Sequence, residues 1–234
     1  IRSRNEYLRK TKGKDAKNLG GGVITVLTRK NIGRLDEIYD FFVSKKMPVK
    51  LNPLIKAGYG VDNYLDLGIN QNEYGKALLK LFKRWFNEDC GGIDVDPFTD
   101  ILTSLASGKP TGCCVYSKSC RDSFISIDPV GDVYPCGRFD SSTGFNLGNI
   151  HSCSLVEMIG GDKNMTLEKR TETLTACSRC KYNNICNSGC PHNGFMKSGN
   201  INDKDYYCSS YKMLFDGIDK SLMAELQKAS VKSK

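Results

Sequence analysis

The spacing of its cysteines constrains this chain more than any other feature. Eleven occur in 234 residues, and four fall within fourteen positions as Cys177-x2-Cys180-x5-Cys186-x3-Cys190. Cys208 follows, and Cys114, Cys120 and Cys136 precede. Eight placed thiols suffice for two four-thiolate metal sites. On spacing alone the tight knot suits structural zinc. The absence of histidines at matching spacing favours iron–sulfur clusters, in which one member of a compact run often serves the other cluster.

Composition is compatible with that reading. Hydrophobic residues make up 39% of the chain, enough for a core, and 23 glycines point to many loops. No apolar run approaches the roughly 20 residues needed to span a bilayer, so no membrane partner is expected. Ile1-Arg2-Ser3-Arg4 leads into a polar, basic stretch, so no signal peptide is expected. A reducing cytoplasm is the expected compartment, where clustered cysteines hold metal more often than they form disulfides. The formal charge of +8 would fall to about +4 if eight thiols ionise around two clusters of about +2 each. The basic residues are scattered as on a solvated surface, so no nucleic-acid partner is expected. The chain lacks an initiator methionine and is expected to be part of a longer one.

Periodicity gives a coarse organisation. Val23–Thr28 reads as a buried strand, and a helix opening at Asn31 or Gly33 carries Leu35, Ile38, Tyr39 and Phe42 on one face. Val49–Leu54 is a second strand, so the unit is βαβ with a parallel sheet. Residues 55–70 read as loop. Asn72–Asn87 is a strong helix whose stripe of Tyr74, Ala77, Leu78, Leu81, Phe82, Trp85 and Phe86 belongs to the core. A shorter helix covers Pro97–Ser107, and Gly108–Gly112 marks a boundary. Ser123–Ile127 and Val133–Cys136 form a hairpin around Asp128-Pro129-Val130-Gly131-Asp132, with Pro135 placing Cys136 at a strand end. Leu147–Ile150 reads as a connector, followed by one or two helical turns from Ser154. Residues 177–190 read as a loop knot, and a last helix runs from about Ser209 to Lys228.

Taken in order, Cys114-x5-Cys120, Gly131-Asp-Val-Tyr-Pro-Cys136, Leu147-Gly-Asn-Ile150, the knot and Tyr206-Tyr207-Cys208 resemble a SPASM domain over residues 113–216. This is the C-terminal extension of radical SAM enzymes that modify peptides and proteins, among them anaerobic sulfatase-maturating enzymes and ribosomal-peptide maturases. Residues 1–105 resemble the second half of their partial (β/α)6 barrel. The fold class implied is α/β: that half barrel, then a loop-rich α+β SPASM domain. The expected division is residues 1–108, 109–216 and a C-terminal helix or tail at 217–234.

The resemblance implies two auxiliary 4Fe–4S clusters. Cys114, Cys120, Cys136 and Cys190 would hold the inner one, with Cys113 as an alternative to Cys114. Cys177, Cys180, Cys186 and Cys208 would hold the outer one. Cys90 and Cys153 match nothing and read as buried free thiols. The Cys-x-x-x-Cys-x-x-Cys signature that holds a third cluster is absent from this chain, and is expected in sequence upstream. Only some ten residues separate Lys12 from Gly22, where the family's barrel has a full helix. Arg9 stands where some members bind the carboxylate of S-adenosyl-L-methionine; a solvated charge is the alternative. Val26 and Leu27 line an adenine pocket or, more simply, pack in the core.

The activity implied is oxidoreductive peptide modification. In the complete enzyme a 5′-deoxyadenosyl radical takes hydrogen from a peptide, and a crosslink, thioether or oxidised side chain results. A reductant such as flavodoxin or ferredoxin is implied as partner. Gly137 stands where sulfatase-maturating enzymes carry an aspartate proposed as base, and glycine takes no proton. A ribosomally made precursor peptide is therefore the expected substrate. Arg138 and Asp140 read as surface or turn residues, as do His151 and His192. The alternatives are a non-catalytic electron-transfer or substrate-docking module and a zinc-stabilised binding module.

Overall fold

A computed structural model describes residues 22–89, 91–118, 120–140 and 144–232. Arg9 and Cys90 lie outside them. The first strand, β1 (Val23–Leu27), is followed by a 3-10 turn and α1 (Leu35–Lys45), then β2 (Val49–Pro53). Lys46 closes α1 in the left-handed conformation, where its N–H reaches the carbonyls of Phe42 and Val43. β1 and β2 pair in parallel, Val23 opposite Val49 through Leu27 opposite Pro53. The segment read as loop contains a one-turn helix, α2 (Tyr64–Leu67), before α3 (Gln71–Asn87).

α3 begins where the side chain of Asn70 accepts the Asn72 N–H at 2.8 Å. Its stripe is buried, with Leu78, Leu81 and Phe82 at most 1% exposed. Each such side chain contributes roughly 2–3 kcal/mol. A third parallel strand, β3 (Val95–Asp96), pairs with β2, and α4 (Phe98–Ser107) follows. Leu27, Val49, Leu51 and Val95 face the helices and are almost fully buried. The opposite face carries Ile24, Val26, Lys50, Asn52 and Asp96 in register. There Ile24 remains 65% exposed, an unusual condition for a parallel sheet, which normally buries both faces.

The second half opens with α5 (Cys120–Ser123) and a three-stranded antiparallel sheet. Its strands are β4 (Ser126–Ile127), β5 (Asp132–Tyr134) and β6 (Gly148–Asn149). β6 falls in the segment read as a connector; its pairing with β5 extends the expected hairpin by one strand. α6 (Leu155–Gly160) starts with a reciprocal capping box between Ser154 and Glu157. α7 (Asp162–Thr173) follows, then three short helices: α8 (Thr175–Ser178), α9 (Asn183–Cys186) and α10 (Pro191–Ser198). The knot is thus built of single turns rather than irregular loop. α11 (Cys208–Lys232) closes the chain.

α11 packs along α3. A Cβ on Gly75 would stand 3.0 Å from the Cα of Ser210, so a small residue permits the close approach. Tyr74 and Tyr207 meet edge to face at 5.3 Å. One apolar core therefore runs from the parallel sheet through Tyr116, Tyr182, Ile185 and Phe215, fixing the cysteine-rich half against the strand ends.

Candidate metal centres

Each expected thiol set surrounds its own cavity. The first cavity, about 230 Å³, is lined by Cys114, Cys120, Cys136 and Cys190, with apolar walls from Phe124, Pro135, Phe139, Leu167 and Pro191. Cys114 opens a 3-10 turn, Cys120 starts α5, Cys136 follows β5, and Cys190 is the N-cap of α10. Burial raises the Cys120 thiol to about 11 and raises Cys190. Ionising both would require a compensating positive group. Cys114 is lowered to about 7 by the neighbouring Cys113 thiol.

The second cavity is lined by Cys177, Cys180, Cys186 and Cys208, with Tyr182, Tyr211 and Phe215. At about 20 Å³ it is much tighter. Burial raises Cys186 and Cys208. Among the described residues no three His, Cys, Asp or Glu side chains are gathered closely enough to hold a single metal ion. The first set fits a polynuclear thiolate-bound cluster as it stands. The second matches it in donor type and in the convergence of four thiols on one smaller cavity.

The knot is divided by its backbone. Asn187, Ser188 and Gly189 are all left-handed, with φ of 47°, 68° and 71°. That reversal sends Cys186 to the second cavity and Cys190 to the first. The turn is held by Arg170, only 2% exposed. Its guanidinium donates to the carbonyls of Ser188, Gly189, Ile201 and Asp203 at 2.8–3.1 Å. The side chain of Asn187 donates to the Tyr116 carbonyl at 2.7 Å, tying the knot to the segment that carries Cys114.

A third cavity, about 240 Å³, lies at the ends of β2 and β3 and is lined by Val26, Asn52, Asp96, Cys113, Arg138 and Asn193, among others. Cys113 and Cys114 therefore part company: only Cys114 lines the four-thiol cavity. Cys113 accepts a hydrogen bond from Lys50 Nζ at 3.3 Å, and Lys50 pairs with Asp96. Burial opposes the charge on Lys50, but its bonds to Asp96 and Cys113 outweigh that and raise its pKa. Leu27 is a core residue, whereas Val26 lines this cavity.

The structure refines four sequence readings. His192 is wholly buried against Phe139, with ring centres 5.0 Å apart, rather than at the surface. Burial lowers its pKa to about 4. Arg138 stands in a turn, as read, and its Nη1 also donates to Cys190 Sγ at 3.2 Å. Asp140 is half-buried. Cys153 is half-buried, its thiol 3.8 Å from the Asn149 carbonyl. His151 is exposed, as expected. Sequence reasoning missed Arg170, Asp205, Lys50 and Asp96. Only an arginine placed inside an otherwise weak helical stripe hinted at the first.

Residues 114–181 match the SPASM family, described as an iron–sulfur cluster-binding domain. The chain is 26% identical over 202 residues to a cysteine-type anaerobic sulfatase-maturating enzyme of Clostridium perfringens, covering 83% of this chain and 53% of that protein. It is 29% identical over 156 residues to the serine-type enzyme of Bacteroides thetaiotaomicron, covering 65% and 37%. It is 24% identical over 193 residues to the mycofactocin maturase MftC of Mycobacterium tuberculosis, covering 81% and 47%. The chain thus spans about half the length, or less, of these curated relatives. Among solved structures, native anSMEcpe with bound AdoMet and Cp18Cys peptide superposes with a TM-score of 0.70 at 21% identity, covering 97% of this chain and 62% of that one. Native anSMEcpe with bound AdoMet gives 0.68 at 22% identity, covering 89% and 57%. The chain therefore has the expected α/β fold, shared with part of these solved structures, and its second half includes the matched SPASM region.

Proposed function

We propose that this chain, which carries a SPASM iron–sulfur domain and is related along most of its length to peptide-modifying maturases, is the C-terminal part of a radical SAM enzyme acting on a peptide. Cys114, Cys120, Cys136 and Cys190 hold an inner 4Fe–4S cluster, and Cys177, Cys180, Cys186 and Cys208 an outer one. The observation that carries this reading is the segregation of eight thiols into two cavities, with Cys190 separated from its knot neighbours by the left-handed turn. The exposed sheet face around Ile24 supports a larger barrel in the complete enzyme.

Clusters bound at these sites supply one-electron transfer between the substrate and a reductant such as flavodoxin or ferredoxin. The chain's own residues shape the space beside them. The cavity at the strand ends receives the peptide, with Asp96 and Cys113, both bonded by Lys50, offering charged and polar contacts. The apolar walls of the inner cavity, Phe124, Phe139 and Leu167, exclude water. Gly137 offers no side chain for a proton, so the substrate is a ribosomally made precursor peptide rather than a sulfatase. The product is a crosslink, a thioether or an oxidised side chain.

Anaerobically prepared chain should contain about eight iron and eight sulfide; stoichiometric zinc with little iron overturns the cluster assignment. In the complete enzyme with reductant and S-adenosyl-L-methionine, a precursor peptide should lose two hydrogens by mass. Formylglycine formation on a sulfatase peptide, at rates matching S-adenosyl-L-methionine cleavage, overturns the substrate assignment.

A further inference from the structure

We infer that Arg138 is a positioning residue that raises the reduction potential of the inner cluster from the substrate side. The inference rests on the reading that Cys190 ligates that cluster. Arg138 lines both the four-thiol cavity and the cavity at the strand ends, so it forms part of the wall between them. Its Nη1 donates to Cys190 Sγ at 3.2 Å.

The local sequence holds it there. Pro135 ends the β5 ladder, and the Phe139 N–H closes a turn on the Cys136 carbonyl at 3.0 Å. Phe139 is 2% exposed and anchors the far side of that turn. Gly137 meets nothing within 4 Å of a built Cβ, so the turn is not crowded. Arg138 is thereby fixed between a ligand segment and a core aromatic ring.

The sign of the effect follows from charge. Reduction adds an electron to the cluster and density to its thiolates. A guanidinium donating to one thiolate stabilises the reduced state more than the oxidised one, which raises the potential. Cys190 is buried and Arg138 half-buried, so water screens the contact only partly and the effect is enlarged. Lysine keeps the charge but not the planar fork that reaches sulfur in this geometry. A peptide oxygen entering the adjoining cavity would meet the same cation, so substrate binding and cluster potential share one residue.

The test is an EPR-monitored redox titration of anaerobically loaded chain, comparing wild type with R138M and R138K. One midpoint should move negative in R138M, and less in R138K, while the outer cluster's midpoint stays fixed as an internal reference. Both midpoints unchanged in the two variants would overturn the inference. If R138M fails to assemble the inner cluster, pulsed EPR on 15N-arginine-labelled protein decides. The nitrogen coupling of the reduced inner cluster should be present in wild type and lost in R138K; its persistence in R138K refutes the role. A wild-type chain without iron would sink the cluster reading, and this inference with it. A loaded wild type indifferent to both substitutions sinks this inference alone.

Discussion

The carboxylate of Asp205 accepts the backbone N–H of Cys190 at 2.8 Å, joining the last thiol of the first cavity to the segment that delivers Cys208 to the second. Its other oxygen accepts the Tyr207 N–H at 2.7 Å, and the Asn193 side chain donates to both oxygens at 3.2–3.3 Å. The residue is 2% exposed. One buried anion thus sets the positions of thiols assigned to different clusters.

D205A leaves those donors buried and unpaired, and should cost roughly 3 kcal/mol or more. Both clusters should suffer, because the anion orders the approach to each. Chemical denaturation of the loaded protein, with iron counted per chain, measures the two effects together. D205N keeps one accepting oxygen and should lose less of each. Full iron content in D205A would mean that the thiols organise themselves without it.

Arg170 gives a second, separable prediction. R170M would strand four carbonyls that now share one guanidinium. The left-handed turn at 187–189 should loosen, at a cost of about 3 kcal/mol. Hydrogen exchange at Gly189 and Cys190 should rise before exchange in α3 does. Uniform exchange across both would place the damage in the global fold and not in the turn.

Particular residues explain what the sequence disclosed. The βαβ unit was legible because β1 and β2 are five residues long and α1 and α3 bury clear apolar stripes. β3 and β6 have two residues each, too few for any period to register. α7 was missed because its buried face includes Asn164 and Arg170 beside Leu167, which reverses the polarity that signals a core. The grouping of thiols followed from ordered spacing through the family resemblance, and the geometry brings the same sets together around cavities. The Arg138 contact was invisible, since it depends on where a turn aims one side chain. His192 misled because a lone histidine carries no mark of the ring it packs against.

The Asp100 carboxyl predicts a pH dependence. Burial, with the Asp96 carboxylate beside it, raises its pKa to about 6. A raised acid in the folded state stabilises below its unfolded value of about 3.9, and that contribution is lost as pH rises through about 6. After allowance for partial solvent exposure the loss is about 1 kcal/mol. D100N should therefore gain stability over wild type as pH rises from about 4 to about 6, with little further gain above. Denaturation midpoints across that range check it; a difference independent of pH would show that Asp100 does not titrate there.

The adjacent cysteines 113 and 114 offer the sharpest separation of roles. Cys114 lines the cavity with Cys120, Cys136 and Cys190, whereas Cys113 lines the cavity at the strand ends and accepts from Lys50. Removing a ligand thiol frees one corner of a cluster and withdraws the binding energy it contributed to folding. C114S should then fall from about eight to about four iron per chain and lose the inner cluster's EPR signal. C113S should keep about eight iron and both signals, because serine can still accept from Lys50 and no cluster bond is cut. In the complete enzyme, C113S should instead alter KM for the peptide, as expected of a group lining the substrate cavity. The reverse pattern of iron loss would assign Cys113 as the ligand. Loss of iron in both would mean that the two thiols share the site.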